Sequence, residues 1–271
     1  MKKDLDICLE AAVEAGKAIM DVYENEDFGV EMKSDDSPLT IADKKAHDVI
    51  MNFLEKTEFP VLSEEGIKME YNQRKNWQRF WLVDPLDGTK EFINRNGEFT
   101  VNIALIDSEV PVAGVIFVPV SGNLYLGIEG EGAWKMQLKE KLQSPDTDRI
   151  MSEGESLHCL SEVNEKLMVV GSRSHMNEDT RKYIQKLEAK YGDAEIMSRG
   201  SSLKLCMVAE GKAHVYPRFA PTMEWDTGAG HAIAKAAGAE VLDSQTRTEL
   251  KYNKKNLLNP WFIVKGKGFA F

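Results

Sequence analysis

Between residues 79 and 129 four apolar runs follow one another: RFWLVD, FTVNIALID, VAGVIFVPV and NLYLGIE. Gly, Asn, Ser and Pro punctuate the links, which are too short to carry crossover helices between the later runs. Successive strands joined in this way form an antiparallel meander.

The first of these strands ends in an unusual way. In WLVDPLDGTKEF, residues 81–92, the apolar run stops at Asp84 and a second carboxylate follows at Asp87. Positions i and i+3 of a continuous strand point to opposite faces. Pro85 cannot donate to a sheet ladder and Gly88 permits a tight turn. The spacing therefore predicts that the chain bends after Asp84 and that both carboxylates converge on one point. Two converging negative charges need a positive partner, and a divalent cation meets that need.

Around this segment the pattern divides the chain into two halves. Residues 5–23 carry a helical stripe of Leu5, Cys8, Leu9, Ala12, Gly16, Ile19, Met20 and Tyr23. A strand is expected at GVEMK (29–33), a helix from Thr40 to about Lys56, a strand at FPVLSEE (59–65) and a loop over 66–78. The polar stretch at about 137–165 marks a boundary. Beyond it strands (LMVVGS, AEIMS, HVYPRF, AEVLD, WFIVKG) alternate with helices (NEDTRKYIQKLEAKYG, SLKLCMVAEG, TGAGHAIAKAAG). The reading is an α/β protein: an N-terminal half, 1–150, of helices on an antiparallel-rich sheet, and a C-terminal α/β half, 151–271, joined in one compact catalytic unit.

With 34 basic and 44 acidic residues the net charge is −10, which disfavours binding to a nucleic acid polymer. A phosphorylated substrate then requires cations or a local basic cluster. The start, MKKDLDICLE, has no apolar segment of the kind a secretory leader carries, and the longest apolar stretch is too short to span a bilayer. Cys8, Cys159 and Cys206 are widely spaced and suggest neither a disulfide framework nor a cysteine metal site. These features lead to the expectation of a cytoplasmic protein, with at most a loose attachment to the inner face of the membrane.

Further acids stand at element ends: Glu64 and Glu65 after VLS, Asp226 in EWDTGAGHAI, and Asp43 in SPLTIADKKAH. Each has a local alternative. Glu64–Glu65 can be a solvated turn, Asp43 can close a capping box with Thr40, and Asp226 can be a first-turn acid favoured by the helix dipole. Taken together they form an oxygen-rich set suited to Mg²⁺, to which the Leu86 carbonyl can add a ligand. Gly88 and Thr89 offer backbone N–H groups to a phosphate where a helix is expected to begin. Cys206 lies in an apolar helix and reads as core rather than nucleophile.

The segments VLSEE, WLVDPLDGTKEF and EWDTGAGHAI resemble the three metal-binding motifs of the inositol monophosphatase superfamily, Mg²⁺-dependent and lithium-sensitive phosphatases. DPLDGTKEFINRNGEFTVNIALI is most similar to the bacterial 3′(2′),5′-bisphosphate nucleotidases of that superfamily, and the likeness extends over essentially the whole chain. It implies a layered αβαβα sandwich of the type shared with fructose bisphosphatase. It also implies two or three Mg²⁺ ions held by Glu64, Asp84, the Leu86 carbonyl, Asp87 and Asp226. Asp43 and Thr89, with Glu64 nearby, would orient the attacking water. The implied reaction removes the 3′-phosphate of adenosine 3′,5′-bisphosphate, and of its sulfated relative, in sulfur assimilation. VVGSRSHMNED and GSSLKLCMVAEGKAHVYPRF resemble the nucleotide-contacting segments, which assigns His175, Ser201, Lys204 and Arg218 to substrate. Glu64, Leu86, Asp87, Gly88, Thr89 and Asp226 would contact the same nucleotide. Gly228 departs from the alanine more usual after Asp-Thr.

Two other functions fit parts of the pattern. An inositol monophosphate or sugar bisphosphate phosphatase would keep the acids but has no need of the SRSH and GSSLK segments. A nucleotide-binding regulatory module would require the loss of a catalytic group, and none is missing.

Overall fold

The computed structural model describes residues 1–24, 31–32, 38–138, 146–171 and 176–269. The chain opens with helix α1 (Lys2–Tyr23), the short pair β1 (Glu31–Met32) and β2 (Pro38–Leu39), helix α2 (Ile41–Leu54), β3 (Val61–Ser63) and the one-turn helix α3 (Tyr71–Arg74). The meander follows as β4 (Arg79–Asp87), helix α4 (Thr89–Ile93), β5 (Thr100–Asp107), β6 (Val110–Val118), β7 (Asn123–Ile128) and β8 (Gly132–Gln137). Helix α5 (Thr147–Glu153) then leads to β9 (Glu155–Ser156). The remainder runs β10 (Leu167–Gly171), α6 (Glu178–Tyr191), β11 (Ala194–Ser198), α7 (Leu203–Ala209), β12 (Val215–Arg218), α8 (Glu224–Ala236), β13 (Ala239–Asp243) and β14 (Phe262–Gly266).

The first sheet has the order β3-β4-β5-β6-β7-β8-β9, antiparallel throughout except for the parallel pair β3/β4. The second has the order β11-β10-β12-β14-β13, parallel on one side and antiparallel on the other. Because strand side chains alternate, each face of the first sheet serves a different core. Val101, Ile103, Leu105, Val115 and Phe117 pack under α1 and α2, while Ala104, Ile106, Ile116 and Val118 pack against the layer of α7 and α8. The second sheet closes over α7 and α8, and α6 covers its far side around Val169, Ile184, Leu187 and Ile263. The result is the five-layer αβαβα order expected from the sequence.

The apolar stripe of α1 is buried as its periodicity requires, with Leu5, Cys8, Leu9, Ala12, Gly16 and Ile19 all inside. Two local readings need correction. The segment 66–78 contains α3, whose Arg74 is buried and donates to the Asn253 side chain at 2.7 Å. The polar stretch at 137–165 is not wholly a linker: α5 crosses position 150, and β9 extends the first sheet by pairing with β8. Short polar edge strands such as Glu155–Ser156 bury no apolar face and so leave no pattern in sequence. The expected strand at 29–33 overlaps the described residues only at 31–32.

Candidate active site

Strand β4 does not stop at Asp84. It continues to Asp87 through a bulge: Asp84 pairs with Asn102 and Asp87 with Thr100, so three steps on β4 oppose two on β5. The extra residue shifts the alternation by one, and both carboxylates emerge on the face that looks toward α7 and α8. The convergence expected from the sequence is present, but an irregular strand produces it rather than a bend that ends the strand. Gly88 follows with φ 93° and caps α4; this left-handed conformation suits a residue without Cβ.

The parallel pairing of β3 brings the next acid alongside. Ser63 sits opposite Val83, and the Glu64 N–H donates to the Val83 carbonyl at 3.1 Å, placing Glu64 next to Asp84. Asp226 arrives from the other direction, in the first turn of α8, where its Oδ2 accepts the Met223 N–H at 2.9 Å. Carboxylate oxygens of Glu64, Asp84 and Asp226 all lie within 4.8 Å of one another. Asp84 is buried, and that burial, with the surrounding charges of Glu64, Asp87, Asp226 and Asp43, drives its pKa well above the ordinary carboxylate range. Burial, then Asp87 and Glu64, push Asp226 up to about 8. Such a cluster is repulsive on its own and relieved by a cation, and its all-oxygen donor set fits a hard divalent metal.

Buried polar side chains fix these carboxylates. The Ser202 hydroxyl donates to Asp87 Oδ2 at 2.6 Å and lies 2.9 Å from the Asp226 carbonyl, and Asn102 Nδ2 reaches both Ser202 Oγ (2.8 Å) and Asp87 Oδ2 (3.3 Å). Glu224, fully buried, accepts the N–H groups of Asn253 (2.6 Å) and Lys254 (2.9 Å) and the Lys254 ammonium (2.7 Å), which pins the start of α8. The sequence reading did not select Asn102, Ser202 or Glu224. A polar residue inside the apolar run FTVNIALID was the available signal for Asn102.

Asp43 closes the expected capping box and also reaches Thr89. Its Oδ2 accepts the Thr40 N–H at 2.8 Å and the Thr40 hydroxyl at 2.5 Å, closing the capping box of α2. Its Oδ1 accepts the Thr89 hydroxyl at 3.3 Å. The same hydroxyl lies 3.4 Å from the Leu86 carbonyl, so the α2 cap and the turn after β4 meet at Thr89.

Beside the acids opens a cavity lined by Asp87, Gly88, Ser201, Lys204, Arg218 and Asp226, six of the residues selected from sequence. Lys204 is buried rather than solvated, and its ammonium donates to the carbonyls of Ser201 (2.6 Å) and Arg199 (3.3 Å). Burial pushes its pKa down to about 8, with Asp87 opposing. Ser201 Oγ and Arg218 Nε are buried with no hydrogen-bond partner among the described residues. Arg199, Lys90 and Asn94 also reach this cavity and were not selected from sequence. His175 lies outside the described residues.

With the geometry in hand, comparison with known proteins is specific. The model of the inositol monophosphatase family matches residues 1–264. The 3′(2′),5′-bisphosphate nucleotidase CysQ of Escherichia coli (strain K12) is 46% identical over 265 residues, which is 96% of this chain and 98% of that protein. The CysQ of Buchnera aphidicola is 41% identical over 98% of this chain and 92% of its own length. Among solved structures, CysQ from Bacteroides thetaiotaomicron superimposes with a TM-score of 0.88 at 51% identity, covering 98% of both chains.

Proposed function

We propose, from the premise that this chain belongs to the inositol monophosphatase family, that it hydrolyses the 3′-phosphate of adenosine 3′,5′-bisphosphate to give AMP and phosphate. Its sulfated relative would be a second substrate. The observation that carries the reading is one cavity lined both by the carboxylates Asp87 and Asp226, the latter a member of the acidic cluster, and by the cations Lys204 and Arg218. A single-phosphate substrate needs the first set only; a bisphosphate needs both.

Glu64, Asp84, the Leu86 carbonyl, Asp87 and Asp226 would hold two or three Mg²⁺ ions. When bound, these ions neutralise phosphate charge and acidify water, the usual contribution of metals to in-line phosphoryl transfer. The remaining work falls to the chain. Thr89 Oγ1 donates to Asp43, which leaves the hydroxyl lone pairs to align the attacking water and Asp43 to draw its proton. The N–H groups of Gly88 and Thr89, at the start of α4, receive the scissile phosphate. Lys204, Arg218, Ser201 and His175 receive the 5′-phosphate and ribose, countering a net charge that otherwise repels the substrate. No described helix is long and apolar enough to cross a membrane, and Cys8, Cys159 and Cys206 are unpaired, which suits a reducing cytoplasm.

The test is phosphate release from adenosine 3′,5′-bisphosphate and from inositol 1-phosphate with Mg²⁺. Strong preference for the nucleotide supports the reading. Preference for the inositol ester would overturn it, along with the roles of Ser201, Lys204, Arg218 and His175.

A further inference from the structure

We propose that Glu98, whose carboxylate bonds the backbone next to Ser201, is a positioning residue that sets the site for the second phosphate; the inference rests on the bisphosphate nucleotidase reading. Glu98 lies in the link between α4 and β5, and its carboxylate reaches across to the segment before α7. Its Oε2 accepts the Gly200 N–H at 2.8 Å, and its Oε1 lies 3.6 Å from the Arg199 guanidinium. Its backbone carbonyl is wedged between two glycines. A Cβ on Gly88 would lie 3.3 Å from that oxygen, and one on Gly200 would lie 3.0 Å from it and 2.6 Å from Glu91 Cγ. One residue therefore touches the turn that follows the acidic pair and the segment that presents the cations.

The segment it holds is strained and directed. Ser201 takes φ 43°, a conformation that non-glycine residues adopt rarely and keep only where the surroundings enforce it. In that conformation the Ser201 carbonyl accepts the buried Lys204 ammonium, and the Ser201 hydroxyl stays buried without a partner among the described residues at the cavity wall. Releasing Gly200 from Glu98 lets Ser201 relax to negative φ. That movement takes the hydroxyl and the Lys204 ammonium out of register with an anion on Arg218. Asp87 and Asp226 also have partners outside this segment, the Asn102 amide and the Met223 N–H, which the clamp does not touch. Glu98 thus acts on recognition of the non-scissile phosphate and leaves the reacting centre alone.

The experiment compares Glu98→Ala and Glu98→Gln with wild type on adenosine 3′,5′-bisphosphate and on 3′-AMP, which keeps the scissile phosphate and lacks the second. Binding of AMP, measured by calorimetry, reads the second-phosphate site without turnover. Glu98→Ala is expected to raise KM for the bisphosphate about tenfold with kcat within about twofold, to weaken AMP by a similar factor, and to leave both constants for 3′-AMP unchanged. Glu98→Gln, whose amide oxygen still accepts the Gly200 N–H, recovers most of that loss. Equal damage on both substrates, a collapse of kcat, or an unchanged KM would each overturn the proposal. Should Glu98→Ala fail to fold, Glu98→Asp, whose shorter side chain draws the carboxylate back from the Gly200 N–H, carries the test, with KM for the bisphosphate raised at least about threefold and 3′-AMP unaffected. A wild type that binds no AMP and prefers neither nucleotide would refute the bisphosphate reading itself and the clamp with it.

Discussion

Helix α8 lies against the first sheet at a pair of glycines, and that contact controls the position of Asp226. Gly114 of β6 and Gly127 of β7 are cross-strand partners. A Cβ on Gly114 would fall 2.4 Å from the Ala229 carbonyl oxygen, and one on Gly127 would fall 2.5 Å from Ile233 Cα. Both obstacles are helix backbone, which cannot rotate aside as a side-chain tip can. To restore ordinary contact at 3.4 Å, Gly114→Ala must push α8 away by about 1 Å. Overpacking of this kind costs about 1–3 kcal/mol. At about 2–4 °C per kcal/mol for a chain of this size, the melting midpoint should fall by roughly 2–12 °C. Ala229 lies one turn from Asp226, and a displacement near 1 Å at a reacting centre can cost about a hundredfold in rate. Thermal melting and kcat of the same preparation read both effects. A variant melting within about 1 °C of wild type and turning over at the wild-type rate would refute the claim that these glycines set the helix against the sheet.

Other consequences can be checked independently. Gly228→Ala should lie within about 1 kcal/mol of wild type, because the gain in helix propensity is offset by a Cβ 2.9 Å from the Leu82 side-chain tip; chemical denaturation measures it. Ser202→Ala removes the 2.6 Å donor to Asp87 and should raise the Mg²⁺ concentration for half-maximal activity about 10–100-fold, with little change in rate at saturating metal. For the metal-free protein, Asp226 holds a proton up to about pH 8 that the unfolded chain releases near pH 4. The stability from this group is therefore complete below about pH 4 and is lost as pH rises toward 8. Denaturation midpoints without metal should fall across that range, and Mg²⁺ should remove the fall by favouring the ionised form.

The sequence already carried the layered architecture and the acids that the fold gathers. The apolar stripe of α1, the meander and the Thr40 cap are local patterns, and each appears where its pattern places it. The acids of β4 and α8 stood at element ends, where polar residues after apolar runs are conspicuous. The bulge between Asp84 and Asp87 was not legible, because a bulge and a turn share the same proline and glycine signals and differ only in what pairs across the sheet. Long-range closeness was equally hidden: nothing local to Glu98 announces Gly200, and nothing local to Gly114 announces Ala229. Lys204 shows the same limit, since a lysine on a helix reads as solvated until the fold buries it among backbone carbonyls.

The most direct test of the account is to titrate Mg²⁺ into metal-free wild type and Asp84→Asn by calorimetry while following phosphate release from adenosine 3′,5′-bisphosphate in the same samples. The account predicts that wild type binds Mg²⁺ with release of protons and then turns over. Asp84→Asn should bind weakly and lose at least about a thousandfold in rate, yet fold at least as stably without metal because a buried carboxyl that must either take up a proton or repel its neighbours is gone. Hydrolysis by wild type in the presence of chelator, or wild-type turnover by Asp84→Asn, would contradict it.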